Sequence, residues 1–454
     1  MNRVGLHRVW AILFILPSWL VVLLYGAAYV LTLPQLKVFP SLQPPPPVVQ
    51  PRGRILSADG AVLATSPRRG ERRYPLGELA GQVVGYTERA HGTYGKGLAG
   101  VEGRRNLVLA QGKDVVLTLD SRVQAIAEEA LARGMARAQA KWGSVVVLAR
   151  DGRILAAANA PFFDPQSPRG APDEDPRLVN YAFLHLIEPG STIKALTAAV
   201  LLETGAVRPE ERIEVPYRRE VADRRVHDWR WHKTERWTLE EILAHSSNVG
   251  ISLLAERLPR STLHRYFERL HLSDPGLLQG QTARPLFPEL EAWGPVEYAN
   301  ATFGQGFAVT ALHLAAAMNT LADGTYHPPR LYANEPELSV RVFRPETVRA
   351  LRGMLERRLA RAARLPGYRL AGKTGTAQIA VQGGYDPERV VALFAGYVPA
   401  DRPQATVVVV LYDPQVPPEE RYGSKLAAPV FKDVAAGLLS LWGQPPDRAK
   451  LGVR

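Results

Sequence analysis

The chain has no cysteine among its 454 residues. That excludes disulfides, thiolate metal sites and a cysteine nucleophile, and it leaves the redox compartment undetermined. Lysine is nearly as scarce, 10 residues against 46 arginines, so any motif that demands a lysine stands out. No cluster of arginines is interleaved with aromatic residues. The net charge of +12 is spread along the chain, which points to a compositional bias with some benefit beside anionic lipid, and not to nucleic acid. Metal ligands are also missing. His227 and His232 flank Trp229 and Trp231, but two histidines five residues apart without further ligands are no zinc signature. That segment reads as a wall of a cleft or as a loop, and no metal or cofactor is implied.

What is present is a globular composition, 46% apolar and 22% charged, in a chain too long for one ordinary domain. Residues 10–33 form an uncharged apolar run. At helical rise it covers about 36 Å, enough to span a bilayer with some tilt. Arg3, His7 and Arg8 precede it, which places a tail of residues 1–9 in the cytoplasm and everything after the run outside. The run is longer than a signal-peptide core, so it reads as an uncleaved single-pass anchor. Residues 34–50 contain four consecutive prolines, Pro44 to Pro47, and read as an extended linker. Residues 51–113 read as a short β-rich pedestal that opens with a hairpin turning at Asp59-Gly60. It carries no nucleophile or paired acids.

At Asp114 the pattern changes, and residues 114–443 read as one α+β domain followed by a tail, 444–454. Val115 to Leu119 reads as a strand, Asp120 to Ala140 as an amphipathic helix, and 143–149 with 153–158 as a hairpin across Asp151-Gly152. Helices are expected from Ser191 to Gly205, then near 239–245, 263–270, 295–303, 312–322 and 346–361. Strands return at 369–380, 390–398 and 405–412, and 427–442 reads as a closing helix. A sheet built from both ends of the domain, with helices inserted between, is α+β and not a run of βαβ units.

Three short motifs carry the chemistry. Pro189-Gly190 breaks the chain before Ser191, and Lys194 follows three residues later, on the same helix face. A lysine amine there can take a proton from a serine hydroxyl if it is neutral. A helix N-terminus and a second cation nearby would both favour the neutral form. With 16 serines and 10 lysines, chance supplies about 0.4 such S-x-x-K matches, so alone the motif also fits a helix cap beside a surface lysine. Ser246-Ser247-Asn248 places a hydroxyl and an amide two residues apart, at a helix end or in a loop. Lys373-Thr374-Gly375-Thr376 places a cation and two hydroxyls in an expected strand, where Gly375 lets another chain approach closely. S-x-x-K, S-x-N and K-T-G follow in that order, 55 and then 127 residues apart, and together they are far more specific than any one.

This set resembles the class B penicillin-binding proteins, the monofunctional peptidoglycan D,D-transpeptidases. The likeness extends to R-G-R-I at Arg52, G-V-E-G at Gly100, L-T-L-D-S-R-V-Q at Leu117 and A-P-F-F-D-P at Ala160. It continues in F-G-Q-G-F-A-V-T at Phe303 and A-A-P-V-F at Ala427, so it covers roughly residues 52–442. Among class B proteins, E-P-G-S, S-S-N-V-G and F-A-G-Y-V-P-A-D-R-P look more like the cell-division branch than the elongation branch. One departure is that the family's pedestal is usually much longer.

The resemblance implies a penicillin-binding transpeptidase or serine β-lactamase-like fold, an antiparallel sheet with helices. It implies Ser191 as nucleophile, Lys194 as general base, Ser246 as proton relay, Asn248 as a positioner of the donor peptide and Lys373 as support for their electrostatics. Thr374, Gly375 and Thr376 would line the substrate-binding strand, with Thr374 and Thr376 helping to hold the substrate carboxylate, and the backbone N–H groups of Ser191 and Thr376 would form the oxyanion hole. The implied partners are peptidoglycan stem peptides, β-lactam antibiotics, a membrane polymerase of the SEDS (shape, elongation, division and sporulation) family and other division proteins. The alternatives are an elongation-type transpeptidase, a β-lactam-hydrolysing enzyme, which would need a base for the deacylating water, and a sensor.

Overall fold

The centre of the molecule is a five-stranded antiparallel sheet whose strands come from both ends of the catalytic region. The structure is a computed structural model, and it describes residues 51–446 except 91–92, 169–174 and 383. The expected anchor, residues 10–33, and the proline-rich linker lie outside the described residues. Among the described residues no helix is long and apolar enough to cross a membrane.

We label the sheet strands β1 (Ala140–Ala149), β2 (Ile154–Ala160), β3 (Ala371–Val381), β4 (Gly384–Val398) and β5 (Ala405–Pro414). Their order across the sheet is β3-β4-β5-β1-β2, so β5, last in sequence, sits beside β1, first in sequence. Both faces of β5 are buried, and it reads A-T-V-V-V-V-L-Y, a continuous apolar run of β-branched residues suited to a central strand. The β1–β2 turn lies where expected, with Gly152 at φ +87, a conformation that glycine adopts without strain.

Helices cover both faces. On one, α1 (Ser121–Ala138) and the closing helix α7 (Ala427–Leu441) pack together and onto the sheet through Ala127, Leu131, Val430, Phe431 and Val434. Asp120 caps α1 by accepting from the N–H groups of Arg122 and Val123. On the other face lie α2 (Lys194–Glu203), α3 (Leu239–His245), α4 (Asn248–Ala255), α5 (Ala311–Asn319) and α6 (Pro345–Arg357). The helix α2 is apolar all round and buried along most of its length, as a helix running through a core must be. A capping box between Thr238 and Glu241 starts α3.

Three expectations need correcting. Val115 to Leu119 is a strand for two residues only, Val115–Val116, and it pairs in parallel with Ile55–Leu56 beside the hairpin at Asp59-Gly60, not with the large sheet. The segment between α2 and α3, where no strand is expected, forms two small antiparallel pairs, Ile213–Val215 with Glu235–Trp237 and Arg218–Val221 with Arg224–His227. Its side chains alternate too weakly in hydrophobicity to announce strands. Residues 51–113 mix short strands with one-turn helices, and so are less β-rich than expected. Their centre is a buried carboxylate. Glu102 accepts from Arg52 Nε at 2.7 Å and Arg72 Nε at 2.6 Å, and the Tyr74 hydroxyl adds a third bond at 3.3 Å.

Candidate active site

Pro189 and Gly190 turn the chain into a short 3-10 stretch, Gly190–Ile193, that holds Ser191 and runs directly into α2. Gly190 has φ +52, and its N–H donates to the carbonyl of Gly304 at 3.0 Å. Gly304 must be a glycine, because a Cβ there would lie 2.2 Å from the Gly190 oxygen. The F-G-Q-G loop thus abuts the turn carrying Ser191. The close approach of two backbones is the reason for its first glycine.

Lys194 is the first residue of α2 and is fully buried, at 0% exposure. Its Nζ lies 3.0 Å from Ser191 Oγ, 2.7 Å from Asn248 Oδ1 and 3.3 Å from Ser246 Oγ, and it also bonds the Ser246 carbonyl. Burial pushes this amine well below the usual lysine value, and the nearby cation Lys373 pushes it further, while Asp228 opposes the shift. A neutral amine keeps two N–H bonds, which fit Asn248 Oδ1 and the Ser246 carbonyl, and directs its lone pair at Ser191 Oγ. Sequence reasoning anticipated the second cation, but burial is the larger cause, and it depends on the packing around α2.

Ser246 ends α3 in the left-handed conformation, φ +54, which turns its hydroxyl toward both lysines. Lys373 Nζ donates to Ser246 Oγ at 2.9 Å and to the Thr374 carbonyl at 3.0 Å. Burial pushes the Lys373 amine down to about 7. Asn248 begins α4, and its Nδ2 donates to the His227 carbonyl at 3.2 Å, so Oδ1 is the atom that faces Lys194.

The strand β3 carries Lys373 to Thr376 past this cluster. Gly375 is confined, since a Cβ there would meet Leu393 Cβ and Thr192 Cγ2, each at 3.0 Å. Thr376 Oγ1 accepts from the Gly423 N–H at 3.1 Å, which ties β3 to the loop after β5. The turn holding Ser191 packs against β3, with Gly190 beside Ala377. Ser191, Lys194, Ser246, Asn248 and Lys373 therefore converge, although they lie up to 182 positions apart in the chain (191 to 373).

Sequence reasoning missed several neighbours. Glu188 accepts from the Gly306 N–H and the Tyr385 hydroxyl, each at 2.9 Å, and burial raises its carboxyl. Asp228 lies under the Ser246–Asn248 turn, buried at 3% exposure. Trp229 and Trp231, whose segment reads in the sequence as a cleft wall or a loop, are 63% and 74% exposed, and the Trp229 ring lies 5.6 Å from that of Tyr422, next to Gly423. That contact puts Trp229 in the cleft wall.

Known proteins resemble the chain over most of its length. The profile of the penicillin-binding protein transpeptidase domain matches residues 143–436. The chain is 32% identical over 423 residues to a Neisseria gonorrhoeae protein named probable peptidoglycan D,D-transpeptidase PenA, covering 83% of this chain and 70% of that one. It is 31% identical over 415 residues to the peptidoglycan D,D-transpeptidase FtsI of Escherichia coli strain K12, covering 84% and 69%. Among solved structures, penicillin-binding protein 3 of Mycobacterium tuberculosis superposes with a TM-score of 0.81 at 29% identity, covering 88% of this chain. The match takes in 99% of the apo form and 97% of the ampicillin complex.

Proposed function

We propose, for a chain that belongs to the penicillin-binding protein transpeptidase family and is a serine-type peptidoglycan D,D-transpeptidase, that Ser191 is the acylating nucleophile and Lys194 its general base. The observation that carries this reading is the buried Lys194 amine 3.0 Å from Ser191 Oγ, with no carboxylate among the described residues in an ion pair with it. Lys194 takes the Ser191 proton as Oγ attacks the carbonyl of the penultimate D-alanine of a stem peptide. Backbone N–H groups of Ser191 and Thr376 receive the oxyanion, where one donor contributes about 3 kcal/mol. Ser246, within reach of both lysines, passes a proton to the departing amine, and terminal D-alanine leaves. An amine of a neighbouring stem then attacks the ester, and Ser191 leaves with its proton restored. Asn248 positions the donor peptide. Lys373, Thr374 and Thr376 hold its carboxylate, and Gly375 permits the close approach.

β-Lactams enter by the same first step, and intact-mass measurement with penicillin tests it. A persistent adduct on the peptide containing Ser191, absent from Ser191→Ala, is the expected result. An adduct retained by Ser191→Ala would mean that the nucleophile is misassigned, and rapid return to the unmodified mass with repeated turnover would favour a hydrolase.

The E-P-G-S and S-S-N-V-G motifs support a role in septal wall synthesis. The apolar run 10–33 and the basic residues before it support a single-pass anchor in the cytoplasmic membrane, with the catalytic domain 114–443 outside and residues 51–113 as its pedestal. A chain beginning at Val48 should then be soluble and keep penicillin binding. Aggregation of that chain, with the full chain monodisperse in detergent, would place the boundary elsewhere. A SEDS polymerase is the partner this arrangement needs, bound through the anchor and residues 51–113. Co-purification undiminished after both are replaced by unrelated sequence would exclude it.

A further inference from the structure

Beneath the Ser246–Asn248 turn sits a buried carboxylate that the mechanism above does not use. Asp228 follows the strand Arg224–His227 and is itself 3% exposed. Its Oδ2 accepts from Ser247 Oγ at 2.6 Å, and its Oδ1 from the Val249 N–H at 3.0 Å. His232 Nε2 faces Oδ2 at 2.9 Å. Ser247 in turn caps α4, since its Oγ accepts from the Gly250 N–H at 2.8 Å. The residue before Asp228 supplies the carbonyl that grips Asn248 Nδ2. One dipeptide, His227-Asp228, therefore holds Asn248 by its amide and the first turn of α4 through the Val249 N–H and the Ser247 cap.

We infer that Asp228 is a positioning residue for acylation: it fixes the turn that aims Asn248 Oδ1 at Lys194, and its negative charge offsets that of Lys373 across the cleft. This rests on the assignment of Ser191 and Lys194 above. An amide side chain such as Asn248 can present either oxygen or nitrogen to a lysine. The His227 carbonyl admits only nitrogen on its side, so oxygen faces Lys194 at 2.7 Å. A turn free to shift would lose that choice and, with it, the alignment of the Lys194 lone pair. The electrostatic part is separate. The charged groups acting on Lys194 are Lys373, on β3, and Asp228, on the segment before α3. Lys373 drives the Lys194 proton off and Asp228 holds it on. The group facing Asp228 in turn is His232, whose Nδ1 faces the Lys233 carbonyl.

The two parts predict different signatures. In the full chain, the second-order rate of penicillin acylation is measured by intact mass from about pH 4 to 9, for Asp228→Asn, Ser247→Ala and Ser191→Ala beside the unaltered protein. Asp228→Asn should slow acylation about 10- to 100-fold at neutral pH, the scale set by a misplacement near 1 Å. It should also move the acid limb down by about 0.5 to 1 pH unit, because the charge holding a proton on Lys194 is gone. Ser247→Ala should slow acylation about 3- to 10-fold with the acid limb in place, because the carboxylate remains. An Asp228→Asn profile that coincides with that of the unaltered protein would overturn the inference, and so would a slower one whose acid limb has not moved. Should Asp228→Asn fail to fold, Ser247→Ala decides: slowed acylation supports the positioning role, and full-rate acylation overturns it. An adduct surviving in Ser191→Ala would instead sink the assignment on which this rests.

Discussion

Charge is buried in two regions of this molecule, and on opposite terms. In residues 51–113, Glu102 is enclosed together with Arg52 and Arg72, and every charge has a partner of opposite sign within 2.7 Å. In the cleft, Lys194 and Lys373 are buried as two potential cations whose hydrogen-bond partners among the described residues are hydroxyl, amide and carbonyl oxygens. The first arrangement joins its groups by direct ion pairs. In the second, burial pushes both amines below the usual lysine range. A buried charge that is neutralised by its neighbours holds a fold together. One left uncompensated gives up its proton and becomes a base.

The largest expected effect tests the cleft side of that contrast. Ser191→Ala should abolish the covalent penicillin adduct, and Lys194→Ala should slow its formation about 10³-fold or more, since the hydroxyl loses its base. Intact-mass time courses check both, and a Lys194→Ala rate within tenfold of normal would break the comparison.

Next, the two regions should respond oppositely in stability. Glu102→Gln leaves two buried guanidinium groups without their anion, and breaking such a set costs about 3–5 kcal/mol. Lys194→Met removes an uncompensated amine and should leave stability unchanged or raise it by about 1 kcal/mol, while removing activity. Thermal or denaturant unfolding of the two variants decides, and equal destabilisation by both would remove the distinction.

A smaller effect concerns pH. A lysine is cationic below its pKa and neutral above it. With Lys373 at about 7, its attraction for a substrate carboxylate should fade above neutral pH. Acylation by a carboxylate-bearing β-lactam should therefore rise from acid pH as Lys194 loses its proton. It should then fall above about pH 7, by up to about tenfold per unit. Lys373→Gln should lose the falling limb. A rate still climbing at about pH 9 in the unaltered protein would mean that Lys373 stays charged there.

The smallest effect expected is that of Asn248→Ala, about a tenfold slower acylation with the adduct still on Ser191, because the nucleophile and base remain and only their alignment suffers. A complete loss would make Asn248 part of the proton transfer itself.

Much of this was legible in the sequence, for physical reasons that can be named. Periodicity and turn chemistry act over a few residues, so α1, the turn at Gly152 and α3 could be read directly, though not the Asp120 and Thr238 caps that begin the two helices. The spacing of Ser191 and Lys194 is likewise a local matter, one helical turn. The rarity of lysine made Lys194 and Lys373 conspicuous. What could not be read depends on contacts between distant segments. The pairing of Val115–Val116 with Ile55–Leu56 and the meeting of β5 with β1 are of this kind. So is Gly304, which needs to be glycine only because Gly190 lies against it. Asp228 looks like one acid in a polar stretch until the chain folds it under Ser247 and Val249. The sequence by itself thus determined which groups could do chemistry and which short elements carry them. Only the tertiary structure decided that two lysines should be buried together, because desolvation is a property of the packed interior and not of any local stretch of chain.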